Sequence, residues 1–292
     1  MKKINKAPAS HRWNYLGAIV LFLFTFSVVQ SQAQITNLVA RNTSLQVNLT
    51  GPNAGLSDWT VNGVNQLSQQ WFYYSVGGSP VYSIDNISAW SAPTIVIGNG
   101  NSPSLTETYA NSALSVSATF QLVSSPIGTP KAQLITTIGI VNESSSSETV
   151  NFYQYSDFDL GGAPGGQTVQ FPGTIQPYNV TQTGNGGPLT GSISSVSGGT
   201  GDVVGEIAGL YNGSQFGLLN GNPAPTFNST ILSAGPGDAT FGYEITATIA
   251  AGSSVTISEL QAVPEPSSLA LISCGILALA FFHRRRLVFL KK

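Results

Sequence analysis

From residue 35 to residue 262 the chain is a series of short runs in which apolar and polar side chains alternate, each cut off by Gly, Pro, Asn or Ser. A period of two sends successive side chains to opposite faces of a strand, and no stretch in this span repeats apolar residues at helical spacing. Thr43 to Leu49 alternates and stops at Gly51-Pro52, and Leu114 to Leu122 alternates over nine residues. Ala132, Leu134, Thr136, Ile138 and Ile140 share one face of the next run, which the Ser-rich turn from Asn142 to Ser147 terminates. Val150, Phe152, Tyr153 and Tyr155 lead through Ser156-Asp157-Phe158-Asp159-Leu160 to a break at Gly161-Gly162. Tyr243 to Ile249 and Val255 to Ser258 flank Ala250-Ala251-Gly252-Ser253, which reads as a hairpin-like connection. The Gly-rich stretch 184–202 reads as a long surface loop rather than a domain boundary, because strands resume on both sides. The expected class is all-β, a single jelly-roll-like β-sandwich over 35–262. At about 230 residues it is long enough to bury an ordinary core.

Charge narrows what this span can do. Of the 292 residues only 8% are charged, against about 25% in a typical soluble domain. Nine of the eleven basic residues lie before residue 15 or after residue 283, leaving Arg41 and Lys131 for the middle. Twelve of the thirteen carboxylates, Asp58 to Glu259, lie in that middle, which carries a net charge of −10. Two cations cannot neutralise a phosphate backbone, so nucleic acid is excluded as a partner. His11, His283 and Cys274 all fall in the terminal segments. The middle therefore has no disulfide, no Ser-His-Asp or Cys-His nucleophile and no zinc ligands of the usual kind.

The ends read as membrane-active segments. Met1-Lys2-Lys3-Ile4-Asn5-Lys6, the apolar run Leu16 to Val29 and then Ser31 and Ala33 have the three parts of a secretory signal, with cleavage expected between Ala33 and Gln34. The apolar run is short for an uncleaved span, the alternative. At the other end Val263-Pro264-Glu265-Pro266 precedes the apolar run Leu269 to Phe282 and then Arg284-Arg285-Arg286. Two prolines stop the preceding strand, the run is a brief transmembrane helix, and the arginines hold its end on the cytoplasmic side. On these grounds alone the segment is a tail anchor. Its order and spacing resemble the PEP-CTERM sorting signal of Gram-negative bacteria. That resemblance implies recognition by an exosortase, a membrane-embedded cysteine transpeptidase, cleavage near the Pro-Glu-Pro, delivery to the cell surface and association with exopolysaccharide. The expected organisation is a signal peptide over 1–33, an ectodomain over 35–262, the sorting signal over 263–286 and a cytoplasmic tail over 287–292. Signal peptidase, exosortase, the membrane and exopolysaccharide are the expected partners. Cys274 within the helix and the residues after Arg286 depart slightly from the pattern.

Within the middle, two constellations stand out. Asp157 and Asp159 are two apart on a strand, so both point to one face, and with the carbonyls of Gly161-Gly162 they could hold Ca²⁺. A plain polar stripe at a strand end is the simpler reading, and no cofactor besides Ca²⁺ is expected. Trp59, Trp71, Phe72, Tyr73, Tyr74 and Trp90 are the densest aromatic region. Core packing is the first reading; the alternative is a carbohydrate-binding platform formed by Trp59, Trp71, Tyr73 and Trp90. A glycan-active enzyme would need two facing carboxylates at a set gap, and nothing marks such a pair. No enzymatic activity is expected. The leading expectation is a structural or interaction protein of the cell surface or extracellular matrix.

Overall fold

The computed structural model describes residues 35–88, 94–96, 101–173, 178–198, 200–213 and 215–263. The strands in chain order are β1 (Ile35–Ala40), β2 (Thr43–Asn48), β3 (Gly55–Val61), β4 (Val64–Asn65), β5 (Gln69–Val76), β6 (Tyr82–Ser83), β7 (Thr94–Val96), β8 (Ser104–Ala110) and β9 (Leu114–Ser124). They continue as β10 (Ala132–Asn142), β11 (Glu148–Asp157), β12 (Gln167–Gln170), β13 (Tyr178–Gly184), β14 (Gly187–Ser197), β15 (Thr200–Leu210), β16 (Ser233–Gly237), β17 (Ala239–Ile249) and β18 (Ser254–Val263). Two antiparallel sheets result. One runs β1-β2-β3-β5-β11-β17-β15, with β4 on β3 and β6 on β5; the other runs β16-β12-β13-β14-β18-β10-β9-β8-β7. The all-β sandwich expected from the alternation is therefore the observed architecture.

The expected inward faces are the observed ones. Along β9 and β10 every second residue is buried, including Leu114, Val116, Ala118, Phe120 and Leu122 on one strand and Leu134, Ile138 and Ile140 on the other. Between the sheets Phe72 of β5 stacks on Phe152 of β11 at 5.7 Å and on Phe120 of β9 at 6.1 Å. Each such buried ring contributes roughly 2–3 kcal/mol through the apolar surface it removes from water.

β17 breaks the alternation, with seven buried residues in a row from Ala239 to Ile245. Its outer face lies beneath the segment that joins β15 to β16. From that segment Phe227 packs edge-on against Tyr153 at 5.6 Å, its N–H donates to Glu244 Oε2 at 2.6 Å, and the Tyr153 hydroxyl donates to the Pro225 carbonyl at 2.9 Å.

Two sequence expectations are corrected. The connection at Ala250–Ser253 is not a hairpin: β17 and β18 belong to different sheets, so the chain arches over the end of the sandwich. The neighbouring link from β10 to β11 makes the same crossing, and Asn142, fully buried, ties the two together. Its side-chain amide donates to the Ser146 and Ile249 carbonyls at 2.7 and 2.8 Å, and its backbone pairs with Gly252 and Ser253. The stretch 184–202 is not a loop. It holds all of β14, an inner strand of its sheet, reached from β13 through the two-residue turn Asn185-Gly186, and the start of β15. Small residues at Gly187, Gly191, Ser192 and Ser195 leave only Leu189, Ile193 and Val196 to mark the period, which is why the strand was hidden.

Candidate functional site

The outer face of the β5-β11-β17-β15 sheet is where carboxylates and aromatic rings gather. Along β11 the side chains of Tyr153, Tyr155 and Asp157 fall at alternate positions and share a face. Asp157 pairs in register with Thr240 of β17, and Asp238 sits two residues before that partner, in the corner between β16 and β17. Asp159 follows two residues beyond Asp157. Gly161 and Gly162 turn the chain there with positive φ of 79° and 75°. A Cβ on Gly161 would lie 2.6 Å from the Gly186 backbone nitrogen, so the turn is pressed against the tip of the β13–β14 hairpin, with the Gly186 N–H donating to the Leu160 carbonyl at 3.2 Å. This close packing, rather than a display of carbonyls, accounts for the glycine at 161.

The result is a trio. Carboxylate oxygens of Asp157, Asp159 and Asp238 lie within 4.8 Å of one another. Asp157 is 5% exposed, and its Oδ1, like Oδ1 of Asp238, is buried without a hydrogen-bond partner. Burial first, then the charges of Asp238 and Asp159, push Asp157 up to about 7; burial and Asp238 also raise Asp159, and burial raises Asp238. Asp157 and Asp159 are brought together as their spacing predicts. Asp238 was missed, because only strand register brings a residue about 80 positions away to the same point.

The aromatic residues are placed otherwise. Trp59 and Trp71 are fully buried, with ring N–H groups donating to Thr43 Oγ1 at 3.0 Å and to Ser83 Oγ at 2.7 Å. Tyr73 is 6% exposed, and its hydroxyl donates to Gln215 Oε1 at 2.7 Å. A sugar stacks only on an exposed ring face, so these three are core and not a platform; Trp90 lies outside the described residues. Trp71 and Tyr73 instead form the floor of a cleft of about 390 Å³ whose polar walls include Asp85, Asn86, Gln215 and Asn220. The Asp85 carboxylate is already engaged there by the Ser83 hydroxyl and, at 3.0 Å, by the Gly51 N–H.

A second group of buried polar side chains bridges the sheets. Glu259 of β18 accepts amide hydrogens from Gln154 at 2.8 Å, Gln261 at 3.1 Å and Gln70 at 3.3 Å. Burial pushes its carboxyl up to about 7 against the opposing pull of these amides. Sequence reading did not single it out, since one Glu in an alternating strand carries no signal.

Of the terminal signals, Ala33, Gln34, Pro264, Glu265, Pro266 and Arg284 to Arg286 lie outside the described residues. No helix among the described residues is long and apolar enough to cross a membrane. Val263 is described: it is buried and paired with Ala132 at the last rung of β18.

Among solved structures, a bacterial glucoamylase complexed with acarbose is similar over 86% of this chain and 36% of its own, with 10% identity and a TM-score of 0.50. The chain thus spans about a third of that enzyme's length. A polysaccharide lyase is similar over 77% of this chain and 33% of its own, at 10% identity and a TM-score of 0.42. A galactose mutarotase-like protein from Lactobacillus casei aligns with 79% of this chain over its whole length, at 9% identity and a TM-score of 0.37. The likeness to the glucoamylase is one of fold. No curated protein matches the chain in sequence. Residues 262–286 match the family model of the PEP-CTERM protein-sorting motif, and the chain therefore carries that sorting signal, which begins in the last two residues of β18.

Proposed function

We propose that the protein is exported and that its sandwich is the payload, a structural or interaction component of the cell surface or extracellular matrix that works alongside exopolysaccharide and catalyses no reaction. In this reading the first 33 residues direct secretion and are removed between Ala33 and Gln34. The apolar run Leu269 to Phe282 then holds the chain in the inner membrane with Arg284 to Arg286 on the cytoplasmic side, and an exosortase cuts near Pro264-Glu265-Pro266.

The observation that carries the reading is where the matched signal begins. The sorting-motif match starts at Ala262, inside β18, a strand paired on one side with β10 and on the other with β14. The last rung is Val263 with Ala132, and the next residue, proline, has no N–H to continue a ladder. Every rung of the two sheets among the described residues lies at or before Val263, so cleavage after that point leaves those rungs in place. The lack of His and Cys in the body supports a role without Ser-His or Cys-His nucleophilic catalysis.

The test is fractionation of a chain tagged within the body, in an exosortase-bearing host and in the same host lacking exosortase. The expected result is a shortened product outside the cell in the first and a longer product retained in the membrane in the second. A full-length product that stays in the cytoplasm of both hosts would overturn the reading.

A further inference from the structure

Buried carboxylates in this protein are of two kinds: some are met by donors, while Glu107 and Glu206 stand singly with neither oxygen paired. Glu259 has three amides, and Glu244 has the Phe227 N–H. The trio at the end of β11 is met by almost nothing. Its best donor is Gln167, whose Nε2 stands 3.5 Å from Asp159 Oδ1 and is already given to the Ala163 carbonyl at 2.8 Å. The electrostatic neighbours of Asp157 are Asp238 and Asp159, both of its own sign. Three carboxylates held together on a strand end, a turn and a strand start repel one another.

A fourth group gives an independent pointer. Tyr155, two residues before Asp157 on the same face of β11, is 1% exposed, and its hydroxyl is buried with no hydrogen-bond partner. Its ring is fixed edge-on against Phe216 at 5.8 Å, and burial first, then the charges of Asp157, Tyr211 and Asp238, act on its hydroxyl against a weaker opposing pull from the Thr240 hydroxyl. The neighbouring Thr240 hydroxyl is turned to the Gly209 carbonyl at 3.3 Å. A buried hydroxyl left unpaired forgoes the hydrogen bond it makes with water in the unfolded chain, so a group at this place has a partner to gain.

We propose that Asp157, Asp159 and Asp238 bind one Ca²⁺ ion, with the Tyr155 hydroxyl donating to a ligand oxygen at the inner wall of the site. Oxygens bound to Ca²⁺ at about 2.3–2.6 Å stand at most about 5 Å apart, and the three carboxylates fall inside that span. They supply up to six oxygens in an irregular arrangement, which suits Ca²⁺. Mg²⁺ keeps most of its water and commonly takes one or two carboxylates. The bound ion would join the end of β11, the glycine turn behind Asp159 and the β16–β17 corner. This site does not depend on where the protein is delivered.

The experiment is calorimetric titration of the purified full-length chain in detergent, first treated with EGTA, using CaCl₂ and separately MgCl₂. The expected result is one Ca²⁺ per chain with a dissociation constant on the order of 10⁻⁴–10⁻³ M or tighter, with a rise in the unfolding temperature. Asp159→Asn and Asp238→Asn should each weaken binding about tenfold or more. Tyr155→Phe keeps the ring on Phe216 and should weaken it several-fold, which gives a readout if the aspartate variants fail to fold. No saturable Ca²⁺ binding by a chain that shows a cooperative unfolding transition would overturn the proposal. So would Mg²⁺ binding of equal strength, or binding unchanged in every variant that folds.

Discussion

Glu259, on β18 between the two sheets, and the Asp157–Asp159–Asp238 trio, on the outer face of the other sheet, are carboxylates wholly or partly withdrawn from water, and they are treated in opposite ways. Glu259 lies between the layers, where Gln70 and Gln154 reach across from one sheet and Gln261 lies two residues along its own strand. Every donor it needs comes from the chain. The trio lies on the outer face beside the segment after β15, and Oδ1 of both Asp157 and Asp238 goes without a donor. A buried ionisable group whose partners are all internal is part of the architecture. Unpartnered buried carboxylates also occur singly, at Glu107 and Glu206; what sets the trio apart among the described residues is that three carboxylates gather at one point.

The largest effect expected of the architectural carboxylate is on the pH dependence of stability. Glu259 is raised from 4.5 to about 7 by burial, and it feels no cation; Tyr243 of β17 faces it, with Glu206 of β15 next to that ring. A carboxyl raised on folding binds its proton more tightly in the folded chain. Its stabilising contribution is therefore full below about pH 4.5 and is lost as pH rises to about 7. The size is on the order of 2–3 kcal/mol for this one group. Glu206, raised to about 7 by burial, and Glu107 and Glu244, also raised, act in the same direction. Urea unfolding at pH 5 and pH 8 should show the greater stability at pH 5, and Glu259→Gln should flatten much of the slope. An unchanged slope in that variant would show that the amide cage carries no charge at all.

The amides give a somewhat smaller effect. Gln154 holds the shortest contact to Glu259, and its Nε2 also reaches Ser156 Oγ at 3.0 Å. Gln154→Leu should destabilise the chain by about 1–3 kcal/mol at pH 8, where Glu259 is ionised, and by clearly less at pH 5. Equal losses at the two pH values would reduce Gln154 to a packing role and weaken the contrast between the two regions.

The contrast also explains what could be read from the sequence. Period-two alternation in β9, β10 and β18 reports burial on one face, so the sandwich and much of its core were legible from residues such as Phe120, Leu134 and Ile257. β14 was not, because glycine and serine leave no amplitude to the pattern, and the arch after β17 was not, because a short link looks alike within a sheet and between sheets. Trp59 and Trp71 could not be assigned to core or surface from type alone. The covering segment that buries the outer face of β11 and β17 has no periodicity of its own. At the candidate site, Asp157 and Asp159 share a strand face by local geometry. Asp238, Tyr155 as an unpaired hydroxyl and the three glutamine donors of Glu259 are consequences of register and layer packing, which are non-local.

The smallest effect separates the two regions most cleanly because its sign depends on the buffer. Asp238→Asn removes one of three like charges and keeps the shape of the side chain. In EGTA at pH 8 repulsion is the only consequence of that third carboxylate, so the variant should be more stable than the parent by about 0.5–1 kcal/mol, the scale of a like-charge contact across strands. At saturating Ca²⁺ the parent gains a ligation term that the variant largely lacks, and the order should reverse. Glu259→Gln, tested in the same two buffers, should shift by the same amount in both, since its donors belong to the protein. A reversal confined to Asp238 separates an open site from a closed network. If Asp238→Asn destabilises equally with and without calcium, the trio is a second internal network and the distinction fails.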